Sequence, residues 1–302
     1  MLPLCPGSDG HCALRALPAL LRVEFRARSS TLADSPGGLS GRKRGGQNHE
    51  SFKARLQAGQ AADGCFLVMF SPIAAEIVAQ AGFDSVLIDL EHGPGGVLDA
   101  IGLIHAVQGS GCAVLLRVEE NHPVPIKRAL DIGLSGLMVP AVSSRAEAEA
   151  CVAACRYAPR GHRGMAAPVV RATGHGAAWQ DYVAGGADDL LLMCQIETPA
   201  GVENVAEVAT TDGVDLLFVG PFDLSASLGH LGQPDHPEVR EAIDAVEKAA
   251  KAAGKLLGAI PTPGRSPEEL YAAGYDLVVG GPDNCLLRQA AQASAARLKA
   301  AR

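Results

Sequence analysis

The chain has 302 residues, 48% of them hydrophobic and only 4% aromatic, with a formal net charge of −7. That composition supplies a large core and excludes wholesale disorder. The few aromatic rings and the acidic balance argue against a nucleic-acid surface. No apolar run approaches the ~20 residues that a bilayer crossing needs, so a soluble chain with no membrane partner is expected.

The charge is uneven along the chain. Residues 1–49 carry seven basic and three acidic side chains, which leaves 19 and 30, a net of −11, for residues 50–302. The first stretch is rich in Gly, Ser and Pro and shows neither helical nor strand periodicity. It reads as a separate extension over 1–47, either a transit-like segment or an appendage without function. The catalytic unit is then expected over 48–302, in the cytoplasm, or in an organelle matrix if the extension is a transit peptide. Eight cysteines are scattered without any C-x-x-C pair. A disulfide framework or zinc site is therefore not expected, and Cys151 and Cys155, one helical turn apart, read as small packing residues.

After Ser51 the pattern becomes regular. Short apolar runs at 65–70, 85–90, 113–118, 136–141, 190–197, 215–220, 256–261 and 277–280 are too short for helices. They read as parallel strands buried on both faces. Between them lie Ala-rich amphipathic stretches such as 145–156, 237–255 and 284–300. Capping boxes are expected at Ser144/Glu147, Asp235/Glu238 and Ser266/Glu269, the last with Pro267 at the first helical position. Eight strands alternating with helices indicate an α/β chain folded as a (β/α)₈ TIM barrel. A doubly wound open sheet is the alternative, but no dinucleotide fingerprint follows the first strand. The one long connection, 143–189, reads as a functional rim.

In a barrel, chemistry gathers at the carboxyl ends of the strands. The second strand ends in Asp89-Leu90-Glu91-His92, the third in Arg117, the fifth in Gln195-Ile196-Glu197 and the sixth in Gly220-Pro221-Phe222-Asp223. No lysine falls at such an end: Lys127 lies in a helix, and Lys248, Lys251 and Lys255 lie on an exposed helical face. Schiff-base chemistry is therefore disfavoured. Glu197 and Asp223 offer hard oxygen ligands for a divalent cation. Arg117 suits an anionic carboxylate or enolate oxygen, and His92 a proton shuttle. The combination describes enolate chemistry beside a carbonyl. Plainer roles stand beside these: Asp223 as an N-cap, Glu197 as the partner of a buried arginine, His92 as a turn cap and Arg117 as a structural ion pair. Gly93-Pro94-Gly95-Gly96 reads as a turn rather than a phosphate cradle.

At these residues the sequence resembles the HpcH/HpaI aldolase family of metal-dependent, class II pyruvate aldolases. The likeness runs from about residue 51 to the C-terminus. It takes in Ser51-Phe52-Lys53-Ala54, Ala81-Gly82-Phe83-Asp84, Asp89-x-Glu91-His92-x-Pro94 and Ile126-Lys127-Arg128-x-Leu130-Asp131-x-Gly133. It continues through Arg156-Tyr157-x-Pro159-x-Gly161-x-Arg163-Gly164, Gln195-Ile196-Glu197 and Gly220-Pro221-x-Asp223-Leu224. The stretch 224–232 looks most like the sugar-acid branch, the 2-keto-3-deoxyglucarate aldolases, and the chain as a whole is closest in look to these and the 4-hydroxy-2-oxoheptanedioate aldolases.

The resemblance implies reversible cleavage of a 4-hydroxy-2-oxo acid to pyruvate and an aldehyde, through an enolate at a divalent metal (Mg²⁺, Mn²⁺ or Co²⁺). By the same likeness, Glu197 and Asp223 are the metal ligands and Arg117 stabilises the enolate oxygen. His92 moves the proton in a dyad with Asp131, which lies on the same or a neighbouring subunit. Gln195, Gly220 and Pro221 line the pyruvate site, and Asp89 reaches the aldehyde or its hydroxyl. The likeness further implies a last helix swapped between subunits and a homohexamer built as a trimer of dimers. Phe66, Leu90, Phe222 and the run Ile260-Pro261-Thr262-Pro263 depart from the family pattern, on the aldehyde side. Oxaloacetate decarboxylation, or another lyase or transferase reaction of pyruvate enolate, is the nearest alternative. A non-catalytic oligomer that binds metal and oxo acid is a more distant one.

Overall fold

A computed structural model describes residues 50–302, so the extension expected over 1–47 lies outside the described residues. Eight parallel strands close on themselves in sequence order. They are β1 (Ala62–Leu67), β2 (Ser85–Asp89), β3 (Ala113–Arg117), β4 (Gly136–Val139), β5 (Leu191–Ile196), β6 (Leu216–Val219), β7 (Leu256–Ala259) and β8 (Leu277–Gly280). The helices begin with α1 (Phe52–Gln57), α2 (Pro72–Gln80), α3 (Val97–Val107), α4 (Pro123–Asp131), α5 (Arg145–Cys155) and α6 (Trp179–Ala184). They continue with α7 (Pro199–Glu203), α8 (Val205–Ala209), α9 (Pro221–Ser227), α10 (Pro237–Ala253), α11 (Pro267–Ala272) and α12 (Asp283–Ala300). The chain is a (β/α)₈ barrel and not an open sheet. Among the described residues no helix is long and apolar enough to cross a membrane.

Each strand has two buried faces, which is why the sequence shows continuous apolar runs rather than alternation. Outward residues such as Leu116, Val139, Cys194 and Val219 pack under the helices, together with Cys151 and Cys155. Inward residues such as Leu87, Leu115, Met138, Met193 and Phe218 fill the barrel itself. Phe52 and Leu56 of α1 join that inner core. Lys53 of the same helix pairs with Asp215, just before β6, at 2.7 Å. Helix α1 thus plugs the end of the barrel at which the strands begin.

The helix starts show what local sequence controls. Ser51, Ser71, Ser144 and Thr198 each cap a helix with the side-chain oxygen. The box at Ser266/Glu269 forms as expected, with Pro267 in the first turn. At Ser144 the cap forms, but the Glu147 carboxylate takes the N–H of Ser143 instead of the cap residue's own. The third expected box does not form. His236 caps α10, because the Asp235 carboxylate is drawn across to the loop after β7, where it accepts from Thr262 Oγ1 and Gly264 N. Lys255 also differs from expectation: it follows the helix-ending Gly254 and reaches back to the Val214 carbonyl at 2.7 Å, half-buried. The long connection after β4 holds α5, α6 and two short 3₁₀ turns.

Candidate active site

Inward-facing positions recur every second residue, so strand register decides which side chains meet at the rim. Asp89 and Arg117 are direct register partners on β2 and β3. They form a bidentate pair, Nε to Oδ1 at 2.9 Å and Nη2 to Oδ2 at 2.8 Å. Both are almost fully buried. Asp89 Oδ1 also accepts the backbone N–H groups of Glu91 and His92, shaping the loop after β2. The pairing fixes the guanidinium plane and still leaves N–H donors on Nη1 and Nη2. Burial works against the Arg117 charge, but the Asp89 carboxylate holds its pKa above the ordinary value. The Phe66 ring lies 5.5 Å from the guanidinium carbon.

On β5 the inward residue Gln195 contacts Arg117 Nη1 at 3.4 Å and donates its amide to Glu197 Oε2. Glu197 Oε1 accepts from Ala141 N at 2.8 Å. Ala141 holds φ +54° to aim that N–H, a left-handed conformation rare for alanine. Glu197 is buried, and among the described residues no arginine or lysine pairs with it. Gly220, following β6, has to be glycine: a Cβ there would stand 2.6 Å from Glu197 Oε2 and 2.8 Å from Gln195 Nε2. Next to it α9 opens, and Asp223 projects from its first turn into the same cavity. The end of α9 is tied to α10 by His230, whose ring meets Glu238 at 2.8 Å.

Asp89, Arg117, Gln195, Gly220 and Asp223 line a cavity of about 580 Å³ at the carboxyl end of the barrel, and Glu197 lies behind Gln195 and Gly220. Asp89, Glu91 and Glu197 gather around one guanidinium, and Asp223 adds its charge beside Glu91 and Glu197. Burial first, then the charges of Glu91 and Asp223, pushes the Glu197 carboxyl up to about 7. Burial also raises Glu91, against the pull of Arg117. Arg117 Nη1 lies 2.8 Å from Glu91 Oε2, yet that buried oxygen receives no hydrogen bond. Desolvated carboxylate in excess of the one arginine nearby is a donor set for a hard divalent cation, and Glu197, held by Ala141 N and the Gln195 amide, fits one together with Asp223.

The structure decides several of the plainer roles. Asp223 is not an N-cap, since Gly220 holds that position. Arg117 is indeed an ion-pair partner, while keeping an edge on the cavity. The glycine run after His92 is a turn: Gly93 and Gly95 leave no space for a side chain beside the Phe70 ring. Asp89, Arg117, Gln195, His92, Gly220 and Asp223 all line the cavity, and Pro221 opens the helix beside them. Asp89 differs in role from the expectation, because both its oxygens are committed to Arg117 and the loop. Asp131 does not meet His92 within one chain. It ends α4, which runs back toward the starts of the strands, and pairs there with Arg163 at 3.0 Å. Glu91 and Ala141 went unassigned in the sequence. Glu91 stood in plain view between Asp89 and His92, whereas nothing in the sequence signals the backbone turn of Ala141.

The HpcH/HpaI aldolase/citrate lyase family model matches residues 63–290. A hydroxypyruvate/pyruvate aldolase of Chromohalobacter salexigens is 43% identical over 249 residues, 82% of this chain and 97% of its own. A 5-keto-4-deoxy-D-glucarate aldolase of Shigella dysenteriae is 40% identical over 241 residues, 80% of this chain and 93% of its own. Among solved structures, an HpcH/HpaI aldolase/citrate lyase family protein from Burkholderia cenocepacia superposes with a TM-score of 0.78 at 34% identity, covering 83% of this chain and 99% of that one.

Proposed function

The chain belongs to the HpcH/HpaI aldolase/citrate lyase family, and from that premise we propose how its residues carry the reaction of a carbon–carbon lyase. The reaction is reversible cleavage of a 4-hydroxy-2-oxo acid to pyruvate and an aldehyde. The observation that carries this reading is an Arg117 locked in plane by Asp89 in the same cavity as Asp223, with the buried carboxylate of Glu197 close enough to feel both charges.

A divalent cation (Mg²⁺, Mn²⁺ or Co²⁺) held by Glu197 and Asp223 supplies Lewis acidity toward the 2-oxo group when bound. Arg117 presents its remaining N–H donors to the oxygen on which enolate charge develops. Because Asp89 holds the guanidinium beforehand, that stabilisation needs no reorganisation during the reaction. Gln195 and the backbone at Gly220-Pro221 line the pyruvate half. His92, exposed at the cavity edge, takes the proton of the 4-hydroxyl as the C3–C4 bond breaks. The bonding pair passes into pyruvate enolate, which is then protonated at C3. Glu91, with its donorless oxygen, orients the proton carrier.

The remaining assignments concern assembly and place. Catalysis belongs to residues 48–302. Helix α12 is exposed along its whole length beyond Cys285, with Leu286, Leu287 and Leu298 presented to solvent. It fits a helix swapped onto another subunit of a hexamer, where a neighbour's Asp131 can approach His92. The described cysteines are free, in keeping with the cytoplasm.

The test is pyruvate release from a panel of 4-hydroxy-2-oxo acids, read by coupled lactate dehydrogenase, with EDTA and then with each cation restored. Turnover lost with chelator and regained with metal supports the mechanism. Turnover indifferent to chelator overturns it. Oxaloacetate consumption without release from any aldol substrate overturns the aldolase assignment in favour of decarboxylation.

A further inference from the structure

The connection from α9 into α10 holds a cluster that the proposed reaction does not use. His230, His236 and Glu238 each offer a ligand atom, and the three atoms lie within 4.8 Å of one another. None of the three lines the barrel-mouth cavity. The loop is folded so as to bring them together. Gly229 and Gly232 hold φ +85° and +74°, the left-handed region that glycine enters at little cost. His230 N donates to the Ser225 carbonyl at 2.7 Å, Gln233 N to the His230 carbonyl and His236 N to the Gln233 carbonyl. The Asp235 carboxylate, bound to Thr262 Oγ1 and Gly264 N, pins the loop to the turn after β7.

The side chains stand close to a metal-binding geometry. The His230 and His236 rings stack with centroids 3.5 Å apart and planes at 16°. His230 Nε2 lies 2.8 Å from Glu238 Oε2. That hydrogen bond, and after it the His230 charge, holds the Glu238 carboxyl below its ordinary value. In a tetrahedral zinc site, bonds of about 2.0–2.2 Å place neighbouring donor atoms about 3.3 Å apart. Opening the His230–Glu238 contact by about 0.5 Å reaches that span. Turning His236 about χ2, a broad torsion, aims its nitrogen at the same point. The turn gives up only the 3.4 Å contact from Glu238 N to His236 Nδ1. The N-terminus of α10 disfavours a cation, and the Glu238 carboxylate in its first turn offsets that field.

We propose that His230, His236 and Glu238 form a metal site separate from the barrel mouth, which takes Zn²⁺ through two imidazoles and one carboxylate with water in the fourth position. The ion replaces the proton shared between His230 and Glu238. Two nitrogen donors favour zinc over Mg²⁺, which prefers oxygen ligands in an octahedron. All three ligands come from one chain, so the site needs no neighbouring subunit. Zn²⁺ there clamps the start of α10 to the end of α9, the helix that carries Asp223 in its first turn.

The experiment is calorimetric titration of the full protein with Zn²⁺ in buffer containing Mg²⁺, on wild type and on Glu197→Gln, which breaks the barrel-mouth ligand set. Glu197→Gln is expected to keep a Zn²⁺ site. Adding His230→Gln, or His236→Asn, which retains a good helix cap, is expected to weaken that site at least about tenfold. The same changes are expected to abolish the Zn²⁺-dependent rise in melting temperature. Circular dichroism checks that each variant is folded, and if one fails to fold the other decides. Unchanged Zn²⁺ affinity in either folded histidine variant overturns the site. So does Zn²⁺ binding that vanishes in Glu197→Gln alone, which places the ion at the barrel mouth.

Discussion

On the proposed assignment, cation binding turns on Glu197. Burial first, then the charges of Glu91 and Asp223, pushes its carboxyl up from an ordinary value near 4.5 to about 7. A cation must displace that proton. Affinity for Mn²⁺ should therefore fall about tenfold per pH unit below 7 and level off above it, which calorimetric titration across that range would check. The same shift has a stability sign. With the folded value raised, its contribution to the cation-free protein is fully present below pH 4.5 and is lost as pH rises through 7. Asp89 makes a second case. Asp89→Asn leaves Arg117 buried with a poorer partner, so unfolding in denaturant should show a loss of about 3–5 kcal/mol, and kcat should fall with it. The types of these residues were legible in the sequence because each closes an apolar strand. The Asp89 role was not, since it depends on the β2–β3 register that makes Arg117 its neighbour. Glu91 was passed over for a similar reason: only the fold shows that its oxygen lacks a donor.

At the scale of elements, strand positions were readable from apolar runs to within a few residues, because strands buried on both faces leave no polar position to confuse the pattern. The first run is the exception. It was read over 65–70, whereas β1 covers Ala62–Leu67. Its first three residues, Ala62-Asp63-Gly64, carry little apolar signal, and Asp63 serves an edge contact to Asp84 N. Capping by serine was local and therefore legible, while Asp235 was taken by a distant loop and could not be foreseen. Helix α12 shows the limit most plainly. Its sequence reads as an ordinary amphipathic helix, yet only Asp283 at its start is buried. Most helical stability in proteins comes from packing of one face, and under the proposed swap another subunit would supply that packing for α12. Removal of residues 286–302 should lower the helical circular-dichroism signal only by that segment's share, leave cooperative unfolding of the barrel, and reduce the assembly mass measured by light scattering by more than the deleted segment.

For the whole molecule, the plug formed by Phe52 and Leu56 leaves the barrel a single mouth. Arg117, Gln195 and Glu197 lie nearly out of reach of solvent, whereas Phe222 is 44% exposed. Under the proposed function, pyruvate would occupy the inner compartment and the aldehyde the vestibule. The architecture was legible from the eight alternating runs, but this depth was not, because it depends on how far each loop rises above the rim. A blind tube with its compartments in series imposes an order of events. The aldehyde must depart before pyruvate can, and in the synthetic direction pyruvate must enter first. Product inhibition should follow that queue: pyruvate competitive against the hydroxy-oxo acid, the aldehyde noncompetitive. In a cell rich in pyruvate, such an enzyme is held in its pyruvate-loaded form, and the supply of aldehyde then sets the direction of flux.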